Sequence, residues 1–390
     1  MRIEQLHVPC AVYRGGTSRG LFFHQKDLPD DEELKAHIFL TGIGAPDETQ
    51  VNGLGGGSSH TSKIVIISPS DQPGAHVNYT FVQAGTKGYV LDDKGTCGNL
   101  MAAVGAFAID EHLVNPAEDL DRVTVHVYNT NINKHLQIKV PVQDGAAKVK
   151  GDFAMPGVTN PGAKITVDIM QPGGGKTGTT LPLGSCHTIQ AGGYSDTASL
   201  VDIVNPFVYI SADKLGLSGT EGIQELSANT VLIDQLNHIR DQACIDARLA
   251  LTLEQARKEC PAIPKIAIVG KPQDYVTTSG RIISKSEVDV VARMLSMGKF
   301  HKTFAVSGLL NLAAAVLLQG TIPNLVAGKE LQDHINPGKV IKIRIGHADG
   351  IAEIRVVLTP DLMDVESVGL ERTARRIMTG QLYVPSLTHT

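Results

Sequence analysis

A glycine-rich loop that ends at Lys63 is the first segment of the sequence whose residue types could do chemistry. The loop runs from Asn52 to Lys63 as NGLGGGSSHTSK. Successive glycines can turn several backbone N–H groups toward one point and so form a concavity that binds anions. Lys63 then opens a β-branched segment, and a lysine that faces a pocket loses hydration, which favours the neutral form that accepts a proton. The alternative is a lysine at a strand edge pointing into water, and the loop before it favours the pocket.

Cys97 is the second candidate, because it stands immediately before a strongly apolar segment. Thr96, Cys97, Gly98 and Asn99 occupy the expected start of a helix. Unpaired backbone N–H groups give such an end a partial positive charge, which favours a thiolate. A buried structural cysteine beside a capping Thr or Asn explains the position equally well, so both interpretations stay open.

Three further motifs were weighed for binding. The segment Arg14–Gly20, RGGTSRG, suits carboxylate or phosphate binding, and a glycine-rich turn with surface charges explains it about as well. Gly173–Thr177, GGGKT, looks like the end of a phosphate-binding loop, but Met170 stands where that motif needs glycine. The histidines show no ligand spacing with a matching carboxylate, so neither a nucleotide nor a metal is expected.

Composition excludes several classes of protein. The chain has 390 residues, a net charge of −5, 42% hydrophobic and 19% charged residues, which gives no basic face for nucleic acid or a membrane surface. The first ten residues lack the apolar core of a signal peptide. Five scattered cysteines without a C-x-x-C spacing indicate reduced thiols, so a cytoplasmic location is expected.

These residues must be positioned by strands and a few helices. The expected strands are Lys63–Ser68, Arg122–Tyr128, Leu136–Val142, Phe207–Ile210, Lys265–Val269, Val340–Ile345 and Ile351–Leu358. The expected helices are Asn99–His112, Glu221–Leu251, Ser286–Ser296 and Ser307–Gln319.

Each half of the chain contains one helix that is apolar on nearly all sides, Leu100–Ile109 and Leu309–Leu318. Such a helix should be buried, which in a strand-rich chain implies a sheet wrapped around it. The sequence therefore predicts an α+β fold of two pseudo-symmetric domains, 1–185 and 186–390, each a curved mixed sheet around a central helix. A single larger α/β domain is the alternative.

Taken together, these segments resemble the PrpF family of the diaminopimelate epimerase-like fold. The resemblance is carried by Arg14–Gly20, Gly53–Gly57 with Thr61–Lys63, Cys97–Asn99, Asn205–Phe207, His301-Lys302 before Ser307-Gly308, and Arg372–Arg376. It implies an isomerase that moves a proton along a small unsaturated di- or tricarboxylate, by an allylic 1,3-shift or a cis–trans change, without metal or organic cofactor.

The resemblance also implies roles for individual residues. Lys63 and Cys97 match the catalytic pair. The carboxylate binders would be Arg14, Thr17, Ser18, Gly55, Gly56, Gly57, Ser58, Ser62, Gly98, Asn99, Asn205, Lys302, Ser307 and Gly308. The partner is a small polycarboxylate such as 3-methylitaconate, 2-methylaconitate or 4-oxalomesaconate, and a homodimer or higher homo-oligomer is expected by default.

Two rival functions are the alternatives to this isomerase. An amino-acid epimerase of the same fold would use a cysteine from each half, and no cysteine stands beside Ser307. A non-catalytic protein that binds an organic acid would need neither Lys63 nor Cys97. Whether Cys97 returns the proton, or Lys63 shuttles it alone, is left open by the sequence.

Overall fold

Alternating apolar residues form most of the strands in the computed structural model, which describes residues 4–117, 120–296, 298–328, 331 and 335–387. Contacts divide the chain into two units. Unit 1 comprises Met1–Ile169 and Glu371–Thr390, and unit 2 comprises Met170–Leu370.

Unit 1 is built mainly from strands around one buried helix. Its strands are β1 (Gln5–Gly15), β2 (Ser18–His24), β3 (Lys63–Pro69), β4 (Val77–Ala84), β5 (Leu91–Asp92), β6 (Arg122–Asn129), β7 (Lys134–Gln143), β8 (Ala146–Ala147), β9 (Ile165–Met170) and, late in the chain, β21 (Ala374–Pro385). Its helices are α1 (Glu32–Ile43), α2 (Gly98–Asp110) and a short 3-10 turn at Gln25–Asp27.

Unit 2 has the same kind of architecture with more helices. Its strands are β10 (His187–Ala191), β11 (Tyr194–Ile203), β12 (Asn205–Ser211), β13 (Lys265–Gly270), β14 (Tyr275–Val276), β15 (Ile282–Ile283), β16 (Val290–Ser296), β17 (Lys299–Phe300), β18 (Ile341–His347), β19 (Gly350–Leu358) and β20 (Val365–Arg372). Its helices are α3 (Ile223–Ala228), α4 (Thr230–Asp246), α5 (Leu253–Lys258), α6 (Val306–Leu317) and α7 (Ile322–Val326), with 3-10 turns at Ala212–Leu215 and Lys285–Glu287.

The two units repeat one strand order. In unit 1, β1 and β2 form a hairpin, β2 runs parallel to β3, β3 pairs antiparallel with β4, and β4 runs parallel to β6. In unit 2, β11, β12, β13, β16 and β18 follow with the same sequence of antiparallel and parallel pairings. The central helix lies at the same place in each order, α2 after β5 and α6 after β17. This repeat confirms the predicted pseudo-symmetric α+β fold.

Both central helices are buried, as their composition predicts. Every residue from Leu100 to Ile109 in α2 and from Gly308 to Leu317 in α6 is buried. Glycine allows the close approach, because a Cβ on Gly105 would lie 2.5 Å from Ile138 Cγ2. In α6, the buried Asn311 amide donates to the carbonyl groups of Val201, Ile203 and Asn205 and accepts from the Tyr209 hydroxyl. Each helix is thereby fixed against its own sheet.

Some sequence predictions differ from the structure. The helix expected at Ser286–Ser296 is wrong: that stretch contains a 3-10 turn and the strand β16, which pairs on both sides with β13 and β18. The long helix expected at Glu221–Leu251 is divided into α3 and α4 at Asn229.

The compact units also differ from the ranges 1–185 and 186–390. They divide at Ile169, and residues from Glu371 onward return to unit 1. The reason is the last strand, because β21 pairs antiparallel with β1 along its whole length, from Gln5 opposite Pro385 to Gly15 opposite Ala374.

Candidate active site

Lys63 is the first residue of β3, and it is buried without a carboxylate beside it in the described part of the chain. Its side chain is 8% exposed. The Nζ donates to Gln83 Oε1 at 2.7 Å and lies 5.0 Å from the centre of the Phe81 ring. Both of these contacts are made by neutral groups, an amide and an aromatic ring.

Gln83 fixes the lysine from the opposite strand. Lys63 and Gln83 face each other directly in the β3–β4 register. The Gln83 Nε2 donates to the carbonyl groups of Ser62 and Ala84 at 2.7 and 3.0 Å, which leaves the amide oxygen to face Lys63. Gln83 is not among the residues predicted from the sequence. Its signal was the alternation Tyr79, Phe81, Gln83, which places three large side chains on one face of β4.

The glycine-rich loop before Lys63 is filled by a side chain of the protein itself. Gln50, buried, accepts at Oε1 from the backbone N–H groups of Gly56 and Gly57, both at 2.8 Å. The N–H of Gly55 donates to the Ile43 carbonyl group at 2.9 Å. The concavity expected from the glycines therefore forms, with an amide oxygen of the chain in it.

Hydroxyl groups of the same loop also serve its internal structure. The buried Ser62 Oγ donates to the Ser58 carbonyl group at 2.8 Å and bonds Gln50. The Ser58 hydroxyl is 3.0 Å from Thr61 Oγ1. Arg19 closes the loop from β2, donating from Nη2 to the carbonyl groups of Leu54 and Gly55 at 3.1 Å. These contacts hold the segment that leads into Lys63.

Cys97 lies where the sequence places it, at the N-cap of α2. It is 8% exposed, its side chain does not cap the helix, and its Sγ is 3.9 Å from Ser18 Oγ. Beneath it the Tyr79 hydroxyl reaches the Cys97 carbonyl oxygen at 3.5 Å. Burial, and after it the nearby Cys97, raise the pKa of Tyr79 well above its usual value, so this phenol stays neutral and acts as a support.

Lys63 and Cys97 both lie close to the start of β2, near Gly20 and Ser18 respectively. Leu21 lies opposite Ile64 in the parallel β2–β3 pair, so Gly20 lies beside Lys63. A Cβ on Gly20 would lie 2.9 Å from the Lys63 carbonyl oxygen and 3.1 Å from Leu100 Cδ1 in the first turns of α2. Two residues earlier in the same strand, Ser18 contacts Cys97. Unit 1 thus places an amine and a thiol around the first three residues of one strand.

The turn between β1 and β2 is held against the start of α2. The Asn99 Nδ2 donates to Thr17 Oγ1 at 3.0 Å, and the Asn99 Oδ1 accepts from Arg372 Nε at 2.9 Å. A positive φ of 53° at Gly16, where a Cβ would lie 2.4 Å from Asn99 Oδ1, explains the glycine there. The predicted residues Thr17, Ser18, Gly98 and Asn99 are therefore brought together with Cys97.

Arg14 is engaged with backbone groups of this turn. Its Nη1 donates to the carbonyl groups of Gly16 and Thr373 at 2.9 and 3.0 Å. Burial, followed by the nearby Arg375, lowers the pKa of Arg14 from its ordinary value. Its predicted contact with a carboxylate stays a prediction.

Four predicted residues belong to unit 2 and lie around the start of α6. Asn205 opens β12, and its carbonyl oxygen accepts from Asn311 Nδ2 at 2.8 Å. Ser307 is in the first turn of α6, whereas Lys302 is exposed in the segment before it. Gly308 permits close packing, because a Cβ there would lie 2.6 Å from Phe207 Cζ.

The N-cap of α6 is Ala305, at the place in the repeat where α2 has Cys97. The described residues therefore contain no second thiol at the equivalent helix start. This agrees with the sequence argument against a two-cysteine epimerase.

The phosphate-loop-like segment Gly173–Thr177 has a structural explanation in unit 2. The backbone N–H groups of Lys176 and Thr177 donate to Asp202 Oδ2 at 2.8 and 2.7 Å, and the Thr177 hydroxyl donates to the same oxygen at 2.9 Å. The anion in this loop is thus a buried carboxylate of the chain.

Neither a cluster of metal-ligating side chains nor a membrane-spanning helix occurs within the described ranges. No group of three or more His, Cys, Asp or Glu side chains has an arrangement that could hold a metal ion. No helix there combines the length and apolar character needed to cross a membrane.

Comparison with known proteins places this geometry in a family context. The family model described as "PrpF protein" matches residues 5–385. The 3-methylitaconate isomerase of Eubacterium barkeri is 39% identical over 383 residues, covering 98% of each chain. The 2-methyl-aconitate isomerase of Shewanella oneidensis is 32% identical, again covering 98% of each chain.

A solved structure agrees with the sequence matches. The crystal structure of a methylitaconate-delta-isomerase superimposes with a TM-score of 0.88 at 38% identity, covering 98% of this chain and 97% of the other.

Proposed function

This chain belongs to the PrpF family and is an isomerase, as its curated relatives are, and from that premise we propose that it moves a double bond in a small unsaturated polycarboxylate by transferring one proton. The observation that supports the proposal is the burial of Lys63 and Cys97 near the first residues of β2 in unit 1, Lys63 beside Gly20 and Cys97 against Ser18.

The reaction is an allylic 1,3-proton shift. A base removes a proton from the γ-carbon of an α,β-unsaturated acid, and the electron pair of that C–H bond moves into a dienolate whose charge spreads onto a carboxylate. The proton then returns at the other allylic carbon, so no atom is gained or lost. Hydrogen-bond donors that face the developing charge lower the barrier, as an oxyanion hole does.

Lys63 is the base in this proposal. In its neutral form Nζ accepts the proton, and the ammonium so formed is then held by Gln83 Oε1 and the face of Phe81, both of which favour a cation. Its burial keeps competing water away from the amine.

Cys97 faces the substrate beside Ser18 and has one of two roles. Its thiol returns the proton on the second carbon, or it polarises the substrate while Lys63 shuttles the proton alone. The reaction in D2O separates these two roles. If Lys63 alone carries the proton, part of the product retains the hydrogen that was removed from the substrate. If Cys97 delivers the second proton, the product takes its hydrogen from the solvent and carries deuterium at that carbon.

Carboxylate binding is assigned first to groups around the start of α2. Thr17, Ser18, Gly98 and Asn99 lie beside Cys97, and the first backbone N–H groups of a helix suit an anion. Asn205, Lys302, Ser307 and Gly308 remain predicted binders in unit 2. Gly55, Gly56, Gly57, Ser58 and Ser62 act in this proposal by shaping the approach to Lys63, since most of their polar groups have partners within the loop.

Two of the relatives support a proposal for the substrate class. One is named for 3-methylitaconate and another for 2-methylaconitate, so a methyl-substituted di- or tricarboxylate is proposed here. An oxalomesaconate-like keto acid is the alternative. A cytoplasmic location and a homo-oligomeric state remain predictions.

Proton NMR in D2O tests the function directly. Purified protein is incubated with 3-methylitaconate, 2-methylaconitate, oxalomesaconate or diaminopimelate, and deuterium entry and double-bond position are followed. We expect deuterium at an allylic carbon with double-bond movement, loss of turnover in Lys63→Met, and wild-type turnover in the control Lys26→Met, whose lysine is exposed. Exchange only at the α-carbon of diaminopimelate would establish the epimerase, and no reaction with any acid would refute the proposal.

A further inference from the structure

Arg372 reaches the start of α2 from a distant part of the sequence. Its Nε donates to Asn99 Oδ1 at 2.9 Å, and its Nη1 donates to the Glu371 carbonyl group at 2.9 Å. Its Cδ lies 3.1 Å from where a Cβ on Gly16 would be, so the side chain runs along the β1–β2 turn. The guanidinium therefore belongs to the same small region as Thr17, Asn99 and Cys97.

The acceptors of this guanidinium are neutral, and the side chain is half-buried. Within the described ranges no Asp or Glu side chain forms an ion pair with Arg372. Arg376, four residues later, is a direct contrast: its Nη2 is 2.6 Å from Glu111 Oε1 and 3.7 Å from Asp110 Oδ2. Burial lowers the pKa of Arg372 to about 10, against the weaker opposing effect of Cys97. A partly desolvated cation without a fixed anion gains from an anion that arrives with a ligand.

Arg372 also determines how Asn99 is presented. Because the Asn99 oxygen accepts from Arg372, the Asn99 Nδ2 is the atom that faces Thr17 Oγ1. The arginine thus brings a positive charge to the helix start and orients a donor there. Both features suit a carboxylate, and a guanidinium matches carboxylate geometry better than an ammonium does.

We propose that Arg372 supplies the positive charge that binds a substrate carboxylate at the start of α2, while it orients Asn99 toward the same ligand. The inference rests on the proposed function for the identity of that ligand, a dicarboxylate. Its structural basis is independent of turnover, since it depends on the unpaired guanidinium beside Asn99 and Cys97.

The alternative is that Arg372 is a strut that only holds α2 against the β1–β2 turn, or that the Cys97 thiolate is its anion. A strut would affect folding and turnover without changing affinity for a carboxylate. If Arg372 is instead the partner of the Cys97 thiolate, replacing Arg372 should no longer change the affinity for a carboxylate once Cys97 is replaced by serine. Binding of an unreactive dicarboxylate separates all three cases.

The experiment is calorimetric titration with methylsuccinate, which has two carboxylates and no double bond to move. The variants are Arg372→Gln and Arg372→Lys, and each is also made in a Cys97→Ser background. The matched control is Arg375→Gln, because Arg375 is exposed on the following strand. We expect Arg372→Gln to weaken binding about 30-fold or more, since it removes one partner of a desolvated charge pair. Arg372→Lys should weaken it less, because charge remains while the planar fork is lost. Arg375→Gln should bind like the wild type.

The outcomes distinguish this inference from the proposed function. If Arg372→Gln binds methylsuccinate as the wild type does, or if the wild type does not bind it, the inference is overturned. If binding depends on Arg372 while no unsaturated acid is isomerised, the carboxylate site stands and the proposed reaction fails. If the effect disappears in Cys97→Ser, the thiolate is the partner and the inference is overturned. Unfolding midpoints are recorded for all variants, and Arg372→Lys decides the result if Arg372→Gln does not fold.

Discussion

The contact between Gln83 and Lys63 gives the sharpest prediction for the candidate site. Replacing Gln83 by leucine removes the acceptor 2.7 Å from Nζ. An intramolecular hydrogen bond contributes about 0.5–1.5 kcal/mol, so we expect the free energy of unfolding to fall by that amount. The Ser62 carbonyl group still accepts from the Ala84 N–H at 3.0 Å, so the leucine does not leave it without a partner.

The effect on turnover should exceed the effect on stability. A base displaced by about 1 Å loses on the order of 100-fold in rate, so kcat of Gln83→Leu should fall about 100-fold with a smaller change in KM. Gln83→Glu should also lose about 100-fold, for a different reason, because its carboxylate holds Lys63 as the ammonium. Gln137→Leu, a half-buried glutamine on β7, is the matched control and should retain wild-type kcat.

The assay is proton NMR or ultraviolet absorbance on the unsaturated acid that the wild type converts, with urea unfolding of each variant. A kcat for Gln83→Glu near that of the wild type would refute the need for a neutral Lys63. A wild-type kcat for Gln83→Leu would refute the positioning role of the amide.

Three further predictions concern the fold and its dependence on pH. Gly105→Ala should lower the free energy of unfolding by about 1–3 kcal/mol in a urea titration, because the new methyl would lie 2.5 Å from Ile138 Cγ2, whereas Gly95→Ala, which meets nothing within 4 Å, should not. Asn311→Leu should cost about 2 kcal/mol or more in the same measurement, since the buried Tyr209 hydroxyl and three carbonyl groups lose their partner, and an unchanged urea midpoint would contradict this. Burial lowers the pKa of His347 from 6.5 to about 4, so the native state keeps this ring neutral. The unfolded chain binds a proton there at a higher pH than the native state does. The stability that the neutral ring contributes is therefore complete above pH 6.5 and is lost as pH falls toward 4. His347→Gln should therefore flatten the fall of the urea midpoint between pH 6.5 and 4, and an unaltered slope would show that other groups cause it.

Local patterns predicted the elements that carry the site because those elements depend on local properties. β-branched runs gave β3, β6 and β7 nearly to their ends, and the all-apolar composition of α2 predicted its burial. The position of Cys97 at the start of a helix follows from the place where that apolar segment begins. By contrast, Val290–Ser296 was predicted as part of a helix, and its partners β13 and β18 come from remote parts of the chain. Tertiary pairing decides such a segment.

The missing parts of the site are side-chain contacts that no local sequence pattern specifies. Gln50 fills the glycine loop, Gln83 lies twenty residues after the lysine it holds, and Arg372 is 273 residues from Asn99. A glycine-rich loop shows that backbone N–H groups can converge, but the group they bind depends on which side chain the fold brings there. The same limitation applies to Gly173–Thr177, where the bound group is Asp202.

The return of β21 to β1 has a consequence for how the protein is made on the ribosome. β1 lies between β2 and β21, so one of its edges is unpaired until residues 374–385 have been synthesised. At about 5–20 residues per second the ribosome needs roughly 20–70 s to travel from β1 to β21. Unit 2 is continuous from Met170 to Leu370 and emerges before β21 does. The nascent protein must therefore keep the open edge of β1 from pairing elsewhere during this interval. Arg372, which contacts Asn99 at the start of α2, is synthesised only at its end.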